Sequence, residues 1–290
     1  MTRQLANARE TRDHLHWTAE DVGTDTVANA LSALLREADL DGGDHKSLRT
    51  MNLVVAPDPH RANAHKATLT QTAQHPARLI RLIEHAPDRL DAEVRVRAIE
   101  VGDGGMEVLV EDVVIHANRD RLLHADSLIA PILARGLPTV AWLPGYDHGA
   151  IEAALALVSH VTVFDSDRDP DPARALHFAH ETALEHPSRD LAWLRTLGWR
   201  QRVSAAFQTE LAQGTLAFTP SGDVVGNVHS PAAMLLAGWI AVRADVNVTL
   251  RPGTGTAPVE AVTIAGIAIP PGGGAPCTAG HLGEALDTVY

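Results

Sequence analysis

The sequence predicts an α/β protein, with a mixed, partly parallel sheet flanked by helices and a smaller C-terminal α+β domain. Three observations predict it. Short apolar runs at Met51–Ala56, Thr139–Leu143 and Val161–Asp165 are interleaved with stretches of helical periodicity, which implies crossover connections and parallel strands. Ala92–Ala98 and Met106–Val110 alternate apolar with polar residues on either side of Val101-Gly102-Asp103-Gly104-Gly105, which reads as an antiparallel hairpin. Beyond about Pro187 the pattern changes to two helical stretches and several short strands.

Taken in order, the first 20 residues are polar and read as an arm. Thr24 and Asp25 can cap a helix in which Val27, Leu31, Leu34, Leu35 and Ala38 share a face, ended by Asp41-Gly42-Gly43-Asp44. The arm and this helix make a first segment, 1–45. The α/β domain is expected over 46–168. In it, Arg61–Gln74 reads as a helix stopped by His75-Pro76, and Arg78–Ile83 as a strand. The alternation slips at Glu111-Asp112 before Val113, Ile115 and Ala117 resume it, which predicts a bulge. Helices are expected over Arg121–Arg135 and His148–Ser159.

The C-terminal α+β domain is expected over 169–290. It opens on a helix, Asp169–His186. Trp199, Val203, Phe207 and Leu211 then recur at helical spacing. Leu216–His229 reads as a hairpin around Thr219–Asp223, and Pro231–Arg243 as a short apolar helix. Val246–Leu250 and Val259–Ile269 read as strands, and the tail as exposed.

Composition narrows the function. The 290 residues carry 24 Lys+Arg against 36 Asp+Glu, a formal charge of −12, which suits neither a nucleic-acid backbone nor an anionic membrane. No run approaches the ~18 apolar residues of a membrane helix. Met1–Trp17 has no apolar h-region, so no secretory signal is expected. Cys277 is the single cysteine, so an intrachain disulfide is ruled out and a reducing cytoplasm is the expected home. The basic residues are nearly all Arg, Lys46 and Lys66 being the exceptions, as in a GC-rich bacterial source.

No motif commits the chain to a reaction: no P-loop, no dinucleotide fingerprint, no nucleophile elbow and no zinc-protease helix is present. No cofactor and no metal are expected, since His14 and His16 form only a pair and His177 and His180 lack an obvious carboxylate partner. Adjacent Glu111 and Asp112 point to opposite faces of a strand and make no dyad unless the bulge redirects one of them. Asp165, Asp167, Asp169 and Asp171 follow a strand end, where they either cap the next helix or chelate a cation. Asp190–Arg200 stands out, with Trp193, Arg195, Trp199 and Arg200, the residue types that anchor interfaces. Trp142, before Pro144-Gly145, adds a third indole.

Together these segments resemble the OpcA-type glucose-6-phosphate dehydrogenase assembly proteins of actinobacteria and cyanobacteria. His75-Pro76-Ala77-Arg78 resembles the family's H-P-S-R, and Glu111–Ile115 its E-Q-I-V-L. Pro138–Gly145 resembles L-P-V-x-x-W-W-P-G, and Val161–Ser166 resembles V-I-x-D-S. Asp190–Arg200 resembles D-L-x-W-T-R-L-T-P-W-R, and Leu235–Arg243 resembles L-L-A-G-W-L-A-x-R. Ala77, Leu143, Leu194, Leu197 and Gly198 depart from these patterns, which marks a divergent member.

The resemblance implies a non-catalytic partner that binds glucose-6-phosphate dehydrogenase, aids its assembly, acts as its allosteric activator and so supports NADPH production in the oxidative pentose phosphate pathway. On that reading Trp142, Asp190, Trp193, Arg195, Trp199 and Arg200 are the candidate partner-binding residues. His75, Arg78, Asp165 and Ser166 are candidates for a sugar phosphate. Two other readings stand beside it: a sugar-phosphate-binding enzyme or sensor, and a self-associating structural protein.

Overall fold

The computed structural model describes residues 15–40, 49–57, 75–101, 106–145, 149–213, 221–271, 282 and 285–286. The fold is mixed α/β. Two compact units divide the chain: unit 1 holds 1–164, 186–188 and 282–290, and unit 2 holds 165–185 and 189–281.

The strands of the larger sheet are β1 (Leu15–Ala19), β2 (Met51–Val55), β3 (Ala77–Glu84), β4 (Asp91–Val101), β5 (Met106–Ala117), β6 (Thr139–Leu143), β7 (Val161–Phe164) and β8 (Ser188–Asp190). Their order is β1-β4-β5-β3-β2-β6-β7-β8. The β5-β3-β2-β6-β7 stretch is parallel, while β4 runs antiparallel to both β1 and β5. All residues of β2, β6 and β7 are buried, as expected of parallel strands covered on both faces. β1 and β4 alternate instead; Val94 and Val96 are buried, and Val27 and Leu31 of α1 (Thr24–Leu40) join them in the core. Leu15–Ala19, expected within a polar arm, is thus an edge strand, with its register fixed by Leu15↔Val96 and Ala19↔Ala92.

Three further expectations change in this unit. There is no bulge at Glu111-Asp112, because β4 and β5 keep one register from Asp91↔His116 to Val101↔Met106. The polar pair breaks the hydrophobic alternation without breaking the ladder, because arginines neutralise both carboxylates. The helix expected over Arg121–Arg135 is two short ones, α2 (Arg119–Leu122) and α3 (Ala125–Ile129). His124 leaves helical geometry between them (φ −115°, ψ 38°), and Pro131 cannot donate the next helical hydrogen bond. The tail is not wholly exposed: Leu282, Ala285 and Leu286 are fully buried. The expected helix Arg61–Gln74 and the turn residues 102–105 lie outside the described residues. Helix α4 (Gly149–Ala156) connects β6 to β7 as expected.

Unit 2 contains α5 (Pro172–Glu185), α6 (Leu191–Arg195), α7 (Leu197–Gln213), α8 (Pro231–Ala244) and the strands β9 (Ser221–Gly226), β10 (Asn247–Pro252), β11 (Val259–Ile264) and β12 (Ile267–Ile269). The sheet order is β10-β9-β11-β12. β9, α8 and the parallel β10 form a β-α-β crossover, and α8 is built for it. Ser230 caps its first turn, Pro231 takes the position where no N–H is needed, and Asp245 ends it in the left-handed conformation. Ser221–Gly226, expected within a hairpin and its turn, is a central strand with β10 on one edge and β11 on the other; the preceding 214–220 lie outside the described residues. A Cβ at Gly226 would sit 2.2 Å from the Pro258 carbonyl oxygen, so only glycine lets β11 approach there. Trp199 and Val203 of α7 and Leu236 and Ile240 of α8 close over Val224, Val262, Ile264 and Ile269 to make the core. Burying each such side chain contributes about 1.5–3 kcal/mol.

Candidate functional site

The Trp/Arg segment begins on Asp190, the N-cap of α6. Its Oδ1 accepts from the backbone N–H of Ala192 (2.9 Å) and of Ser166 (3.1 Å), and its Oδ2 accepts from Ser166 Oγ (2.6 Å). One carboxylate thereby starts a helix and pins the 3-10 turn Ser166–Arg168. Burial pushes the Asp190 carboxyl up to about 6, with Asp165 adding repulsion, although all three hydrogen bonds favour the charged form.

Arg195, at the end of α6, holds two acidic residues. Its Nη1 and Nη2 meet Asp165 Oδ1 and Oδ2 at 2.6 Å each, and Nη1 also donates to Asp167 Oδ2 at 3.0 Å. Arg168 Nε donates to Asp165 Oδ2 at 3.1 Å. Burial alone would raise the Asp165 carboxyl, but the bonds and charges of Arg195 and Arg168 hold it below the usual carboxylate range. Burial works against the Arg195 cation, yet Asp165 and Asp167 drive its pKa upward. Asp167 Oδ1 in turn accepts from Ser230 Oγ (2.7 Å) and from the Ala232 N–H (3.1 Å), tying this network to the first turn of α8. Asp169 accepts two hydrogen bonds from Arg174, and Asp171 caps α5. The acidic run is a capping and ion-pairing device.

What remains accessible is a stacked pair. The Arg200 guanidinium lies 3.8 Å from the Trp193 ring centroid, and both side chains are half-buried. Arg200 Nε donates to Thr196 Oγ1 (3.0 Å), which itself donates to the Trp193 carbonyl (2.7 Å), so the stack is held from below. Trp199 belongs to the unit 2 core, with Arg202 over its ring at 4.5 Å.

His75, Arg78 and Trp142 belong to unit 1, while Asp165, Ser166, Asp190, Trp193, Arg195, Trp199 and Arg200 belong to unit 2. Arg78 is buried: its Nε donates to Glu111 Oε2 (2.5 Å) and its Nη1 to the Ile132 carbonyl (2.5 Å). Arg49 Nε lies 3.0 Å from the other Glu111 oxygen. On the opposite face of the sheet Arg81 grips Asp112 with two bonds, of 2.9 and 2.6 Å. Arg78, Asp165 and Ser166, expected to meet a sugar phosphate, therefore spend polar atoms on internal partners. His75 is half-buried with a partner of its own, and Trp142 is fully enclosed.

Arg168 and Ser230 escape sequence reasoning as members of the network, and Asp167, read there only as part of the acidic run, turns out to link Arg195 to Ser230. Arg81 escapes it as well, though it is readable: two arginines three apart on one strand face opposite ways, and so match adjacent Glu111 and Asp112 on the next. Among the described residues no group of three or more His, Cys, Asp and Glu is arranged to hold a metal ion. His16 bonds to Glu93 (2.8 Å), while His14 and Cys277 lie outside the described residues. Among the described residues no helix is long and apolar enough to cross a membrane.

Comparison with known families gives two matches. Residues 70–178 match the N-terminal domain of the glucose-6-phosphate dehydrogenase subunit, a family model named for OpcA assembly proteins. Residues 186–271 match the C-terminal domain of the same family. Together they span about two thirds of the chain, in family order. No curated protein matches the chain.

Proposed function

This chain belongs to the OpcA-type glucose-6-phosphate dehydrogenase assembly family, and from that premise we propose that it is a non-catalytic partner that binds the dehydrogenase, assembles with it and raises its activity. Its working place is the cytoplasm, and its output is NADPH production by the oxidative pentose phosphate pathway.

The observation that carries this reading is the Trp193–Arg200 stack, held 3.8 Å apart on a rigid base. A partly exposed indole with a cation over its face is a ready anchor, because the ring is already ordered and little entropy is lost on docking. Asp190 and Arg195 position that anchor from beneath, and Trp199 supports it from the core. The acidic side chains around it are paired with arginines and helix N–H groups instead of converging on a reacting atom. Activation requires tighter binding to the active form of the dehydrogenase than to the inactive form, and ~1.4 kcal/mol of difference shifts that equilibrium tenfold.

Size-exclusion chromatography with light scattering tests the association. A mixed peak heavier than either protein is expected, and its mass gives the stoichiometry. A chain that self-associates and ignores the dehydrogenase would instead be a structural oligomer.

A further inference from the structure

We propose that unit 2 associates with a second copy of this chain through the open edge of β10, two such strands pairing antiparallel about a twofold axis at Thr249. The smaller sheet runs β10-β9-β11-β12, so among the described residues no strand pairs with the outer side of β10. The opposite edge, β12, is three residues long. β10 offers six, with Asn247, Thr249 and Arg251 exposed and Val248 and Leu250 half-buried. Proteins blunt an exposed edge with a bulge, a free charge or a proline within it. β10 has no such guard: its register with β9 is unbroken from Asn247↔Ser221 to Pro252↔Gly226, its proline comes last, and its one charge, Arg251, is bound to Asp223 at 2.6 Å.

The backbone of this edge is set for a partner. The Gly253 N–H donates to the Gly226 carbonyl (2.8 Å), so the odd-numbered residues of β10 turn their peptide groups to β9. The direction alternates along a strand, so Val248 and Leu250 turn theirs to the open edge. In an antiparallel pair about Thr249, Val248 of each copy faces Leu250 of the other, and the two exchange N–H···O bonds on both sides of the axis. The two Thr249 residues then form the closer, non-hydrogen-bonded pair between them.

The side chains select a second copy as the occupant. Val248 and Leu250 pack against the unit 2 core, so the apolar face of the sheet reaches the open edge, and a second β10 continues it with Leu250 and Val248. On the other face Thr249 meets Thr249 and Asn247 meets Arg251, which sets the two Arg251 side chains at opposite ends of the ladder. Threonine pairs favour such a ladder, whereas like charges placed opposite each other would oppose it. This register pairs Asn247–Arg251 and leaves out Pro252, which has no N–H to give. The strand is thus complementary to itself, as a twofold contact requires. A single strand pair buries less than a standard interface, so the dimer is expected to be weak, with a dissociation constant of about 10–100 µM. The contact uses none of the residues assigned to dehydrogenase binding, so it stands or falls separately from that reading.

The test is sedimentation equilibrium of the full chain from about 1 to 500 µM, where the mass should climb toward twice that of the monomer. T249K sets two ammonium groups face to face across the axis at an exposed position, and should weaken the dimer about tenfold or more with the circular dichroism spectrum unchanged. T249C, in a C277S background, is the second variant. Opposed residues of a non-hydrogen-bonded pair have Cα atoms about 4.5 Å apart, within disulfide reach, so mild oxidation should link two copies. A261C in the same background is also exposed, but on the inner strand β11, and should stay unlinked. The proposal is overturned if the wild type remains a monomer at about 500 µM, if T249K dimerises as the wild type does, or if T249C links no faster than A261C. A monomeric wild type whose dehydrogenase binding is lost in T249K would overturn it too, and would give the edge to the dehydrogenase.

Discussion

Arg195 and Asp165 form a two-pronged ion pair, 2.6 Å at each prong, in which the carboxylate is buried and the guanidinium nearly so. The pair joins the residue that follows β7 to the end of α6, while the third bond of Arg195, to Asp167, continues to Ser230 at the start of α8. Three elements of unit 2 therefore depend on one cation.

That dependence has a cost when the cation is removed. R195A leaves Asp165 buried without its main partner and is expected to lower stability by about 3–5 kcal/mol. R195K, which keeps the charge but not the planar fork, should lose less. Urea unfolding of the three proteins measures both; equal stability of R195A and wild type would refute the role.

Asp190 gives a pH signature of the opposite sign. Its carboxyl is raised from 3.8 to about 6 in the fold, so in this range the folded state binds the proton more readily than the unfolded chain does. Its contribution is fully present below about pH 4 and is lost as pH rises through 6. A rise of that size makes the stability of wild type relative to D190N fall by roughly 3 kcal/mol between about pH 4 and pH 7. Asparagine keeps an acceptor for the Ser166 and Ala192 N–H groups, so D190N should fold. A wild-type minus D190N difference that is flat across this window counts against the assignment.

In unit 1 the test pair is Arg78 and Glu111. R78A leaves the fully buried Glu111 carboxylate with only the partly exposed Arg49 beside it and should cost about 2–4 kcal/mol, whereas R78M/E111L, which removes the buried pair, should recover most of that loss. A double variant as unstable as R78A would mean that the pair does more than neutralise itself.

Trp193 and Arg200 separate binding from folding. W193A and R200A should each weaken association with the dehydrogenase tenfold or more, about 1.4 kcal/mol, with the circular dichroism spectrum unchanged. Calorimetric titration reads the affinity. Unaltered affinity in both variants would move the interface elsewhere.

Most of the fold is legible in the sequence because its signals are local. The apolar runs at β2, β6 and β7, the alternation in β4, and the Ser230-Pro231 start of α8 all declare themselves within a few residues. What the sequence hides depends on distant partners. Glu111 and Asp112 imitate a bulge until Arg78 and Arg81 are set on the neighbouring strand. β9 resembles a turn until β10 and β11 arrive on its two edges, and Leu15–Ala19 resembles an arm until β4 gives it a ladder. The candidate site follows the same rule: Asp190, Trp193, Arg195, Trp199 and Arg200 stand out by residue type, but which of them are internally paired and which form the half-buried stack depends on Asp165, Asp167 and Thr196, which only folding brings to them.

The most direct measurement is the steady-state rate of glucose-6-phosphate dehydrogenase from the same organism, with and without this protein at micromolar concentration. A higher rate or a lower half-saturation for glucose 6-phosphate is the predicted result, and W193A should reduce the effect. An unchanged rate, together with no shared peak on size exclusion, would contradict the account.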